Sequence, residues 1–194
     1  MTELVPITFD NWRRAAGISA AGGQLRFVAA YEPVALVILS KAFVRAGNVD
    51  WWPYLIEDAG RAVGVVALVD ERQLSGELAL FHLLVDASQQ GRGYGRAAVR
   101  CAVELARTAE GCDRLRLTVH PENQSAVSLY RSEGFVVDGV DAEGEIRLSI
   151  CTPRADQAGL ISTSPPVNLL RLAWADPEKR HTAPRPGMAA SWVR

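Results

Sequence analysis

Residues 83–98 read Leu-Leu-Val-Asp-Ala-Ser-Gln-Gln-Gly-Arg-Gly-Tyr-Gly-Arg-Ala-Ala, and no other stretch narrows the choice of fold so far. An apolar strand runs into a turn with glycine at every second position, and a helix begins directly after it. Gly91, Gly93 and Gly95 let the backbone bend sharply and approach a ligand with no Cβ in between. The unpaired N–H groups and the dipole of a helix starting there favour an anion. Arg92 and Arg96 add positive charge on the same turn, so a pyrophosphate is the natural occupant. The spacing is not the Gly-x-Gly-x-x-Gly of dinucleotide folds, and it falls late in the chain instead of after the first strand. A P-loop would close with Gly-Lys-Ser/Thr, whereas Arg96-Ala97 follows the last glycine here. The remaining reading, a plain surface turn, is disfavoured by the clear patterning of the flanking strand and helix.

Around this turn the chain alternates strands and helices. Leu4–Thr8 reads as a strand, and Asp10 or Asn11 can cap a helix to Ile18. Pro33–Ala46 is a second helix, with proline suited to its first turn. Trp52–Asp58 and Arg61–Val69 form a hairpin around Ala59-Gly60. Glu77–Asp86 is apolar almost throughout, as expected of a strand covered on both faces. Ala97, Ala98, Cys101, Ala102, Leu105 and Ala109 recur at helical spacing, and Arg114–Val119 alternates with period two. Asn123 caps a helix from Gln124 to Ser132 that ends at Gly134. Phe135–Val140 and Glu145–Ile150 close as a hairpin. Residues 1–151 thus form one domain, and 152–194 a proline-rich extension. Within it, Val167, Leu169, Leu170, Leu172 and Trp174 are apolar enough that 167–174 is expected to dock on the domain or on a second subunit.

Bulk properties exclude several classes. A length of 194 residues suits one well-buried domain, and 48% apolar with 22% charged residues is an ordinary globular balance. A net charge of −1 provides no field for nucleic acid. No apolar run is long enough to span a bilayer, and the N-terminal residues lack a secretion signal. Cys101, Cys112 and Cys151 show neither a Cys-x-x-Cys pair nor a metal-ligand rhythm. A cytoplasmic protein with no metal, nucleic-acid or membrane partner is expected.

Gln90-Gly-Arg-Gly-Tyr-Gly95 resembles the Gln/Arg-x-x-Gly-x-Gly/Ala signature of the GNAT superfamily of N-acetyltransferases. Asn123-Gln-Ser-Ala-Val-Ser-Leu-Tyr-Arg-Ser-Glu-Gly-Phe135 resembles the same superfamily's Asn-x-x-Ala-x-x-Leu-Tyr-x-x-x-Gly-Phe. Asp10-Asn-Trp12, Gln24-Leu-Arg-Phe-Val-Ala29, Trp51-Trp-Pro-Tyr54 and Val85–Gly95 are further similar to the branch of bacterial spermine/spermidine acetyltransferases. Two positions depart from that branch: Gln89 replaces an aromatic residue, and His82 stands where arginine is expected.

The resemblance implies an α+β fold of α/β/α layers around a mixed, mostly antiparallel twisted sheet with a central splayed parallel strand pair. It implies acetyl-CoA held between Glu77–Asp86 and Arg114–Val119. The pantetheine would lie along Leu83, Leu84 and Val85, and the pyrophosphate over Gln90, Gly91, Arg92, Gly93, Tyr94, Gly95 and Arg96. Asn123, Ala126 and Tyr130 would line the cofactor arm. An amine of the acceptor attacks the thioester directly. At neutral pH only about one in a few thousand alkyl amines of pKa ~10.4 is neutral, so a base or a depressed pKa is needed. Tyr130 takes the place of the acid that protonates the leaving thiolate. Glu77 and His82 are candidate bases; five residues apart, they face opposite sides of a regular strand unless a bulge intervenes. Trp51, Trp52 and Tyr54 are candidates for an aromatic wall around the acceptor, with Glu32, Asp50 and Glu57 as counter-charges, although core packing explains such aromatics equally. The acceptor stays open among a polyamine, an aminoglycoside-like antibiotic, an amino-acid derivative and a biosynthetic amine. Homodimers are common in the superfamily. The competing expectation is a catalytically degenerate acyl-CoA sensor or partner-binding module of the same fold.

Overall fold

The computed structural model describes residues 1–29 and 31–152; the segment 167–174 and its expected docking lie outside them. Seven strands form one sheet: β1 (Thr2–Pro6), β2 (Asp50–Asp58), β3 (Arg61–Glu71), β4 (Glu77–Val85), β5 (Arg114–Val119), β6 (Val136–Val140) and β7 (Ile146–Cys151). Their order is β1-β2-β3-β4-β5-β7-β6. Every neighbouring pair is antiparallel except β4 and β5, which run parallel. The helices are α1 (Trp12–Ala16), α2 (Leu25–Val28), α3 (Val34–Val44), α4 (Arg72–Ser75), α5 (Tyr94–Thr108) and α6 (Gln124–Ser132).

Two apolar faces cover this sheet. Leu55, Val65, Ala67, Val69 and Ala79 form one core with Ala15 of α1 and Val34, Ala35 and Ile38 of α3. Strand residues of the other parity, among them Ile56, Val66, Leu68, Leu78 and Leu80, are also buried. Across the sheet α5 contacts β1, β3, β4 and β5, and it buries Ala98, Val99, Ala102, Val103 and Ala106 along one stripe. The expected α/β/α layering is therefore present.

Several local expectations shift. Asn11 precedes α1, but its side chain makes no helix cap. Its Oδ1 accepts from Thr8 N and its Nδ2 donates to Pro6 O, tying the helix entry back to β1. The helices α2 and α4 have four residues each, too short to show a period. Thr152, placed by the sequence at the start of the extension, is fully buried, and its backbone N–H donates to Asp113 O.

Candidate active site

The parallel pair begins joined and ends parted. Glu77, Leu78, Ala79 and Leu80 pair with Arg114, Leu115, Arg116 and Leu117, and there the pairing stops. Beyond it β4 continues beside β3 and β5 beside β7. The cause is local. Between the pairs Ala67↔Phe81 and Val65↔Leu84, β4 carries one more residue than β3, and His82 sits there with φ 54. Such a bulge bends the strand and increases its twist. Gly64 accommodates the bend, since a Cβ there would run into the Leu84 carbonyl oxygen.

A cleft of about 480 Å³ fills the opening. Leu83, Leu84 and Val85 form one wall and Thr118 and Val119 another, with Asn123, Ala126 and Tyr130 contributed by the α6 region. Gln90, Gly91, Gly93, Tyr94 and Gly95 bring the glycine turn to the same space. Gly91 and Gly93 have φ 75 and 85, and a Cβ on either would meet nothing within 4 Å. The turn is thus open above its backbone, and Gly93 precedes α5 with no side-chain cap. This is the geometry in which first-turn N–H groups donate to an anion. Gln90 is fixed by its Nε2 donating to Gln24 Oε1 at 2.6 Å and Val85 O at 3.1 Å. Arg92 is exposed beside the turn. Arg96 turns instead to Glu133, at 2.7 Å, which also binds Arg100 at 2.7 Å. These arginines hold the Glu133 carboxyl below its usual range, with the Arg100 hydrogen bond the largest cause.

Asn123 caps α6 as expected: its Oδ1 accepts from Ala126 N at 3.3 Å. Further along α6, Tyr130 is buried against Phe135, with ring centres 5.8 Å apart, yet it still lines the cleft. Burial pushes its hydroxyl pKa up, so the group stays protonated.

The base candidates separate. Glu77 stands at the joined end, 3.4 Å from Arg116 and 3.9 Å from Arg114, and does not line the cleft. His82 does line it, because the bulge brings both Phe81 and His82 against Trp51. Its Nδ1–H donates to Val28 O at 2.6 Å, and its Nε2 lies 2.9 Å from Lys41 Nζ. Burial pushes the ring down to about 4, keeping it neutral at ordinary pH.

The aromatic cluster is not brought to the cleft surface. Trp51 and Tyr54 are buried, and Arg72 stacks over Trp52 with 5.5 Å to the ring centre. Trp51 meets the cleft-lining residues Phe81, His82 and Lys41. Nor do the expected counter-charges line it: Glu32 accepts from Ala20 N, Asp50 pairs with Arg45, and Glu57 pairs with Arg14. The sequence reading missed Lys41 and Glu145, the two formally charged side chains among the described residues lining the cleft. Lys41 lies within a mostly apolar helix, a pattern that sets it apart without saying what it faces. Glu145 sits in a turn where acids are ordinary.

A parallel pair parted by a bulge, with an open glycine turn at the following helix start, defines the acetyltransferase class of fold. The chain belongs to the Acetyltransferase (GNAT) family, whose sequence profile matches residues 25–135. Spermidine N(1)-acetyltransferase of Escherichia coli (strain K12) is 30% identical over 86 residues, which is 44% of this chain and 46% of that protein. The match therefore spans about half the length of that relative. Spermidine N-acetyltransferase from Vibrio cholerae, solved in complex with CoA and spermine, has a TM-score of 0.62 at 19% identity, covering 78% of this chain and 95% of that one. Aminoglycoside acetyltransferase AAC(6')-Ib in complex with coenzyme A gives 0.65 at 19% identity, covering 81% and 98%. At these identities the structural likeness establishes the fold.

Proposed function

We propose that this protein transfers the acetyl group of acetyl-CoA to a primary amine of a small molecule. One observation carries the reading: the parted strands, the open glycine turn and Tyr130 lie along a single cleft. The donor set fits coenzyme A. From Phe81 to Val85 β4 no longer pairs with β5, and backbone groups released in this way are satisfied by side chains, as Val85 O is by Gln90, or by ligand or water. Leu83, Leu84 and Val85 would hold the pantetheine, the turn from Gln90 to Gly95 with Arg92 the pyrophosphate, and Asn123 and Ala126 the arm. Arg96 contributes charge to this end while its guanidinium is tied to Glu133. When bound, acetyl-CoA supplies the activated thioester.

The residues of the chain then handle protons. Tyr130, kept protonated by burial, supplies a hydrogen to the departing sulfur. Glu77 does not line the cleft and pairs with arginines, and both His82 nitrogens are engaged. Glu145, the carboxylate on the cleft lining among the described residues, is the group we assign to receive the proton of the amine, directly or through water. His82 contributes as a fixed neutral support beside the acceptor.

Thiol release from acetyl-CoA, measured with a panel of polyamines, aminoglycosides, amino acids and biosynthetic amines, tests the proposal. Amine-dependent release is expected. Tight acetyl-CoA binding with no release for any amine would favour the acyl-CoA sensor instead. Copies are proposed to pair as a homodimer, for which Val136 and Val140, exposed on the outer strand β6, provide an apolar surface. No described helix is long and apolar enough to cross a membrane, and the described residues contain no metal-binding group of His, Cys, Asp or Glu. The three cysteines are free thiols, which accords with the proposed cytoplasmic location.

A further inference from the structure

On the α3 side of the β4 bulge the cleft contains a cation that acetyl transfer itself does not use. Lys41 Nζ lies 2.9 Å from His82 Nε2 and 4.9 Å from the centre of the Trp51 ring. The Nδ1–H of His82 is committed to Val28 O, so the lone pair on Nε2 faces the lysine and accepts from it. Lys41 is thereby held from two sides by neutral groups. Burial lowers its pKa, and no acidic neighbour offsets that effect. The acids that could have served as counter-ions are engaged elsewhere, Glu32 with Ala20 N, Asp50 with Arg45 and Glu57 with Arg14. A positioned cation without a carboxylate partner among the described residues, lining a cleft, is a binding site for an anionic group.

We infer that Lys41 anchors a carboxylate of the acceptor, which makes that acceptor an α-amino acid with an apolar side chain rather than a polyamine. This rests on the acetyl-transfer reading above. A polyamine would bring several positive charges beside Lys41, with Glu145 as the one carboxylate on the described lining. An amino acid carries one charge of each sign, as the described lining does with Lys41 and Glu145. Val28 and Phe81 lie beside His82, and with Phe27 and Leu80 they offer apolar surface on the same cleft to its side chain. The glycine turn does not compete for this role, since it lies beyond Val85 at the other end of the strand segment.

The test compares L-phenylalanine with L-phenylalaninamide, L-leucine with L-leucinamide, and both pairs with spermidine, using the full chain. The amides have the less basic amine, so reactivity alone would favour them. We expect the free acids to be preferred in kcat/KM by roughly 10- to 100-fold, the worth of a charge-assisted hydrogen bond. Lys41→Met should reduce that preference to within about threefold through KM, while Lys41→Arg restores most of it. Acetyl-CoA affinity, measured on the same variants, controls for folding. Calorimetry of L-phenylalanine and its amide against the CoA-loaded protein reads the anchor without turnover. Equal use of acids, amides and spermidine, or a preference that survives in Lys41→Met, overturns the inference and leaves acetyl transfer standing. Carboxylate-selective binding lost in Lys41→Met, with no thiol release for any amine, supports the anchor and overturns acetyl transfer.

Discussion

The two ends of the β4–β5 pair are built from the same strands and do opposite work. At the joined end the ladder is continuous from Glu77 to Leu80, and Glu71, Glu77, Arg114 and Arg116 form an ion cluster beside it. At the parted end one extra residue, His82, redirects β4, and the two strands follow different neighbours. The first arrangement satisfies backbone groups internally. The second leaves them facing a cleft, where a ligand can satisfy them. Charge follows the same division: carboxylates at the joined end are neutralised by arginines, whereas Lys41 at the parted end is held by uncharged groups.

Substitutions at the parted end should therefore be costly for function, and those at the joined end should not. Tyr130→Phe keeps the ring and its packing on Phe135 but removes the proton donor. Turnover is expected to fall by roughly 10²- to 10⁴-fold, with acetyl-CoA affinity and melting temperature retained. An undiminished rate at saturating substrates would return Tyr130 to the packing residues.

Gly93→Val places a β-branched residue at φ 85, in the open space above the turn. Backbone strain and obstruction together should weaken acetyl-CoA binding by about 100-fold, the scale of ~1–3 kcal/mol for such strain. Calorimetry on the folded variant checks this, and unchanged affinity would remove the pyrophosphate from the turn.

Stability at the parted end should also depend on pH through His82. His82 titrates near its ordinary 6.5 when unfolded and at about 4 when folded, chiefly through burial. Between those values the unfolded chain binds the extra proton, so stability falls as pH drops from about 6.5 and the loss is complete below about 4. The contribution is up to about 3 kcal/mol. His82→Asn, whose side chain tolerates positive φ, should flatten this acid slope in denaturant titrations. A slope unchanged by the substitution would show that other groups carry it.

The smallest effect belongs to the joined end. Glu77→Gln leaves Arg116 its contact with Glu71 and should change turnover by no more than about twofold, as for a substitution outside the site. A large loss in kcat would restore Glu77 as a base and break the division between the two ends.

Much of the fold was legible because its signals are local. The strand, glycine turn and helix from Leu83 to Ala98, and the cap at Asn123, need only near neighbours to be satisfied, and both appear as expected. The base candidates were less legible. Counting by two along β4 placed Glu77 and His82 on opposite faces, but a bulge cannot be seen in a pattern that is apolar on both sides. The aromatic run at Trp51 read equally as core or as wall, and burial settled where its side chains lie.

The sequence by itself determined the order of the longer elements and the glycine turn at a helix start, since backbone freedom and helix polarity reside in a few consecutive residues, and its family resemblance supplied the class of fold. Tertiary structure alone decided which charges enter the cleft. Lys41, His82 and Glu145 come from a helix, a bulged strand and a turn distant in sequence, and Glu77 is carried away from them by register. Charge placement of this kind depends on how separate segments pack, and no short stretch of sequence contains that information.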